Sequence, residues 1–193
     1  MFGLAAVFLS GSVLLAVTGT SSAAPVAVTY DAKGQSTLTG LGATLPLGPG
    51  TVEAAFDLQS GQFTGQLALP ESRTAFTLFG FLDTHAKVKI TQAGAMSGTV
   101  TSSGAVTASV GVNVQITEVG HFGFGIPLAN CKTTAVTPIT LTSQGEFEPT
   151  IGGTLVGKYV LPKFADCGFD TDIINGLLGG QANSLTMSLT FKQ

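Results

Sequence analysis

The chain has 193 residues, a net charge of −3 from eight basic and eleven acidic side chains, and 44% hydrophobic residues. So few cations supply no patch that could track a phosphate backbone, which argues against nucleic acid as a partner. Plentiful apolar residues and small net charge exclude intrinsic disorder, and the 26 glycines with abundant Thr and Val describe an all-β protein.

At the N-terminus, residues 2–17 (FGLAAVFLSGSVLLAV) form an uncharged apolar run, and TGTSSAA follows with small residues ending at Ala24 before Pro25. This is the pattern of a secretory signal peptide over residues 1–24, too short for a spanning helix. No Lys or Arg precedes the run, so the expectation includes either a translation start further upstream or a trimmed basic segment. No later apolar run is long enough to span a membrane, and no Cys marks a lipid-anchor site. Residues 25–193 are then expected to be an exported single β-domain, secreted or associated with the cell envelope.

Along that domain, residues 26–29 and 35–41 read as opening strands, and Gly48-Pro49-Gly50 as a corner. Residues 51–58 alternate Val52, Ala54, Phe56 and Leu58 against polar or small partners, the period of a half-buried strand. Gln59-Ser60-Gly61 reads as a hairpin turn, residues 62–69 as the returning strand, and Pro70 as its end. Residues 74–82, TAFTLFGFL, are apolar on both faces and so are either a fully buried strand or the lining of an apolar cavity. Residues 86–91 alternate Lys87 and Lys89 with Val88 and Ile90. A hairpin around Ser102-Ser103-Gly104 leads into a long strand of small and branched residues. Residues 121–128, HFGFGIPL, read as a Gly-bent strand whose Phe122 and Phe124 either cover the core or face a ligand.

Residues 134–143 and 153–161 give two more strands. Asp170 and Thr171 then precede an apolar stripe of Ile173, Ile174, Leu177 and Leu178 that stops at Gly179-Gly180, which predicts one short helix near the C-terminus. Residues 184–191 close the chain as an alternating strand with Leu185, Met187, Leu189 and Phe191 inward.

One spacing recurs. Gly61-x3-Gly65-x3-Leu69-Pro70 is repeated as Gly153-x3-Gly157-x3-Leu161-Pro162. An apolar-Pro-Leu triplet lies upstream of each, Leu45-Pro46-Leu47 and Ile126-Pro127-Leu128, and an alternating segment lies downstream. These landmarks suggest an internal pseudo-repeat over about 36–96 and 112–193. The fold expected is an all-β antiparallel sandwich or flattened barrel built from two similar halves.

Two cysteines in an exported chain most simply pair with each other. A Cys131–Cys167 bridge closes a loop that the chain-entropy estimate values at about 3–4 kcal/mol.

The chemistry is mostly absence. The sequence has no nucleophile elbow, phosphate loop, zinc-helix motif, Cys pair of metal-site spacing or acidic calcium loop, so no metal, cofactor or catalytic residue is assigned. His85 with Asp83, and His121 with Glu118, read as exposed loop residues. Glu146 and Glu148 flank Phe147 like a glycosidase pair, but with no Trp and only Tyr30 and Tyr159 for stacking they read as a solvated turn.

The runs FGFGIPLANCKTTAVTPITLTSQGEF, GGTLVGKYVLPKFADCG, DLQSGQFTGQLALP and FTLFGFLDTHAKVKI together resemble a group of uncharacterised secreted actinobacterial β-rich proteins with a single Cys pair. The shared series is Gly-hydrophobic-Pro-Leu, Cys-x-Thr, Pro-x-x-Leu and Pro-Phe-x-x-Cys-Gly. Here Lys163-Phe164-Ala165-Asp166 varies the last element. The resemblance covers most of residues 36–191 and implies an exported β protein with one disulfide. It carries over no catalytic residue.

The expected function is non-catalytic binding of an apolar small molecule or envelope component, with Phe76, Phe79, Phe81, Phe122 and Phe124 as contact residues. A surface module that recognises another protein is the alternative, and a hydrolase assembled only in the fold a remote one.

Overall fold

The computed structural model describes residues 23–193. The signal-peptide expectation therefore falls almost wholly outside the described residues. The elements are β1 (Val26–Leu38), β2 (Ala43–Asp57), β3 (Gln62–Ala68), β4 (Ser72–Leu78), β5 (Leu82–Gln92), β6 (Met96–Val100), β7 (Val106–His121), β8 (Phe124–Pro127), β9 (Lys132–Thr133), β10 (Thr137–Ser143), β11 (Gly152–Val160), β12 (Phe164–Ala165), α1 (Thr171–Leu177) and β13 (Ala182–Phe191). All strand pairings are antiparallel.

The register reduces these strands to eight long staves. β5 and β6 pair in succession along one edge of β7, from Thr84 opposite His121 to Val100 opposite Val106. They form one stave with a break at residues 93–95. β8, β9 and β10 pair in succession along the other edge of β7. β3 and β4 pair with β6 and β5, and β11 and β12 with β10 and β9, so each couple is again one stave. The staves follow chain order, and β13 closes the ring on β1. This is an eight-stranded up-and-down barrel, the size at which the interior is filled by side chains or holds one small ligand.

The breaks have local causes. The third stave is interrupted at Leu69-Pro70 and the seventh at Leu161-Pro162, where proline has no N–H to give a ladder. At the break in the fourth stave the Gln92 side chain stands in for backbone, accepting from the Leu67 N–H and donating to the Gly65 carbonyl at 3.1 Å. The first half of β2 lies beside β4 without a ladder, and the Thr74 hydroxyl donates to the Thr44 carbonyl across the seam at 2.9 Å. The paired landmarks of the sequence each fall four staves apart: the Pro-Leu triplets on staves two and six, the Gly-Gly-Leu-Pro spacings on three and seven, the alternating segments on four and eight.

The short helix α1 lies where expected. Ile174 and Leu178 are buried against the barrel, and the Asn175 side chain bonds both backbone groups of Phe164, at 2.7 and 2.9 Å. Asp170 occupies the N-cap position, but its side chain caps nothing; the Thr171 hydroxyl donates to the Gly168 carbonyl instead. Among the described residues no helix is long and apolar enough to cross a membrane.

Several local expectations change. Residues 26–29 and 35–41 are not two strands, because β1 runs continuously to Leu38. Gly48-Pro49-Gly50 is a bulge inside β2: Ala32 faces Gly50 and Gly34 faces Leu47, so two residues oppose Lys33. Residues 74–82 split into two strands around an exposed turn, with Thr74, Phe76 and Leu78 turned inward. Residues 121–128 form a hairpin, and Phe122 and Phe124 point to solvent, 67% and 82% exposed, where they cannot cover the core.

Candidate functional site

Inward side chains fill the barrel unevenly. The start of β1, the end of β13 and the connections at 58–61, 101–105 and 144–151 mark the loop end, which Phe147 seals; its ring lies 5.8 Å from that of the fully buried Tyr30. The Tyr30 hydroxyl donates to the Pro149 carbonyl at 2.7 Å, and burial pushes its pKa up to about 12. Behind this seal a small void of about 80 Å³ lies among Val52, Phe56, Phe63, Val110, Leu155 and Met187.

The tip end carries the connections at 39–42, 79–81, 122–123 and 166–181. It holds a larger apolar chamber of about 140 Å³, walled by Leu45, Phe76, Val88, Ile116, Leu161 and Ile174. Tyr159, Ile90 and Val114 line both spaces. The Tyr159 hydroxyl meets the Ser36 hydroxyl at 2.6 Å, and Ser36 donates onward to the Ser184 carbonyl, so one polar bridge divides the two. Burial raises the Tyr159 pKa and the Ser36 bond partly offsets this.

The chamber reaches the surface at a mouth where apolar and polar groups mix. Phe79 and Ile173 stand on its edge beside Thr84, His121 and Asp170. Thr84 Oγ1 lies 3.0 Å from His121 Nδ1 and donates to the Leu82 carbonyl at 3.0 Å. Tightly packed interiors leave few voids larger than a water molecule, and an apolar cavity near 150 Å³ is known to take a benzene-sized guest.

The disulfide is present, Cys131 to Cys167, with both residues buried. It sits beside the β9–β12 pair and ties two short strands across the wall of the chamber, where the ladder is thinnest.

Of the five phenylalanines singled out from the sequence, Phe76 is half-buried in the chamber wall and Phe79 stands at the mouth. Phe81, Phe122 and Phe124 lie outside the lining. The fuller wall includes Leu45, Val88, Ile116 and Ile174, which alternation marks as inward without saying that space is left between them.

Both histidines sit on strands rather than exposed loops. His85 is buried on the outer face, its Nε2 3.3 Å from Glu118, whose carboxylate also takes the Lys87 ammonium at 2.9 Å. Lys87's hydrogen bond, more than His85's, holds the Glu118 pKa low. Glu118 therefore pairs with His85, not His121, because it faces outward while His121 faces the mouth. Glu146 and Glu148 are exposed on the loop that carries Phe147. Among the described residues no three His, Cys, Asp or Glu side chains come together, and no carboxylate bonds His121.

No known protein family, curated protein or solved structure matches the chain.

Proposed function

We propose that the protein is an exported, non-catalytic binder of a small apolar ligand, or of the apolar part of an envelope component, held in the tip-end chamber. The observation that carries this reading is the void itself: about 140 Å³ of apolar space, larger than the void behind Phe147, with Thr84, His121 and Asp170 at its mouth. A ligand with an apolar body and a polar end fits that distribution, the body against Phe76, Val88 and Ile116, the end near Thr84, His121 and Asp170. The size matches one ring or a short chain segment.

The test is mass spectrometry of an organic extract of the protein purified from its host against a mock purification, followed by titration with benzene and straight-chain alcohols. A stoichiometric molecule in the extract, or a saturable rise in Tm that the chamber-filling substitution Ala86→Phe removes, is the expected result. An empty extract with no saturable, Ala86-dependent stabilisation overturns the reading. The alternative of a surface-recognition module is favoured by a different observation, the exposed phenylalanines around the mouth.

A further inference from the structure

Two adjacent turns at the tip end carry the same tripeptide. Phe79-Gly80-Phe81 joins the third and fourth staves, and Phe122-Gly123-Phe124 the fifth and sixth. The Phe122 N–H donates to the Asp83 carbonyl at 3.1 Å, so the tips stand side by side. All four rings face solvent, at 70%, 72%, 67% and 82% exposure, and Phe169, beside the mouth residue Asp170, is fully exposed. Across the loop end the large hydrophobics exposed among the described residues are single aliphatics, Val26, Leu58 and Ile151.

The backbone makes these rings harder to explain by folding alone. Phe79 and Phe122 have φ of 53° and 49°, and the following Gly80 and Gly123 have 77° and 88°. Two successive positive values are the pattern of a type I′ turn, whose first position favours Asn, Asp or Gly, and a bulky aromatic there is an outlier. Fold stability would place Asn-Gly at both turns. The chain holds Phe-Gly twice, at a conformational cost and with the rings in water.

We propose that these tips dock the barrel onto an electrically neutral lipid surface, with the chamber mouth facing the lipid. Residues 78–85, 120–128 and 166–175 contain no Lys or Arg and include Asp83, Asp166, Asp170 and Asp172. That charge pattern disfavours anionic lipids and polyanions, and it sets acid against acid in a tip-to-tip contact between two copies. A lipid layer accepts separate rings inserted at several points without a matching groove, and apolar residues on protruding turns suit that contact. The proposal stands on the tips and not on the chamber's being occupied.

The chain has no tryptophan, so F124W supplies one clean reporter. With phosphatidylcholine vesicles its emission is expected to shift to the blue, and partition is expected to weaken when a third of the lipid is phosphatidylglycerol. The double substitution F79N/F122N is expected to lower vesicle partition by about tenfold per ring removed while Tm holds or rises, because Asn suits the turn. All proteins compared carry the same N-terminus, so the difference reads the tips. A86F, which fills the chamber and leaves the tips, is expected to bind vesicles as the wild type does. No partition at millimolar lipid, equal partition of F79N/F122N, loss of partition in A86F, or a dimer that these substitutions dissolve with no vesicle binding would each overturn the proposal.

Discussion

The two ends of the barrel solve the same problem with opposite chemistry. At the loop end Asp57 accepts from the Gln59 N–H and the Ser60 hydroxyl, Thr101 accepts from the Ala105 N–H, and the positive φ values fall on Gly61, Gly104, Gly145 and Gly152. These turns are satisfied, and the core behind them is sealed by Phe147. At the tip end positive φ falls on Phe79, Phe122 and Asp166 as well as on glycines, rings stand in water, and the chamber opens between them. The contrast teaches that nothing about closing a stave requires the tip-end residues. Their cost belongs to what that end does.

The largest expected break in this contrast is reduction of the disulfide, or Cys131→Ser with Cys167→Ser. Loss of about 3–4 kcal/mol is expected from the chain-entropy estimate. Hydrogen exchange should quicken in β9, β12 and α1 well before the loop-end strands; uniform acceleration would show that the ends are not separable units.

Alkaline titration probes the other end. Tyr30 is an acid whose folded pKa is raised, so below its ordinary value near 10 its contribution is fully present. Between about 10 and 12 the unfolded chain releases a proton that the folded one keeps. Stability should fall by about 2–3 kcal/mol across that window. In Tyr30→Phe, which lowers stability at pH 7 by about 1 kcal/mol through the lost bond to Pro149, this component of the fall should be absent. Denaturant unfolding at pH 8 and pH 11 measures both.

Gly61→Ala sharpens the comparison of turns. Gly61 has φ of 68°, and a Cβ there would lie 2.5 Å from the Val100 carbonyl oxygen. A loss of about 1–3 kcal/mol is expected, opposite in sign to the effect of Asn at the Phe79 and Phe122 positions. Equal signs at the two ends would remove the distinction.

The smallest effect is expected midway along the sixth stave. The Thr137 hydroxyl is fully buried with no hydrogen-bond partner among the described residues. Thr137→Val should raise stability by about 1 kcal/mol in chemical unfolding and leave both ends unchanged.

Much of the wall could be read from the chain. Val52, Ala54 and Phe56, or Leu185, Met187 and Leu189, alternate so regularly that their inward face is set by the two-residue period of an extended strand, and the two cysteines of the chain do pair with each other. The sequence is ambiguous where local signals compete. Gly48-Pro49-Gly50 reads as a corner until its opposite strand shows a bulge. The apolar run at 74–82 hides a turn because Phe sits where turns usually carry Asn or Gly. Exposed aromatics break the rule that apolar means inward, so the sequence does not separate Phe76 and Phe79, which meet the chamber, from Phe81, Phe122 and Phe124, which stand in water.

The sequence by itself determined that this is an antiparallel β protein, which side of most strands faces inward and which two sulfurs meet. Those properties depend on local periodicity and on there being no other cysteine to choose. Tertiary structure alone decided that broken strands line up as eight staves, that the ring closes between β1 and β13, and that space remains between Leu45, Val88 and Ile174. Such features depend on register between residues more than a hundred positions apart and on the volumes of side chains from six staves and a helix meeting at one place, and no local pattern in the chain encodes that sum.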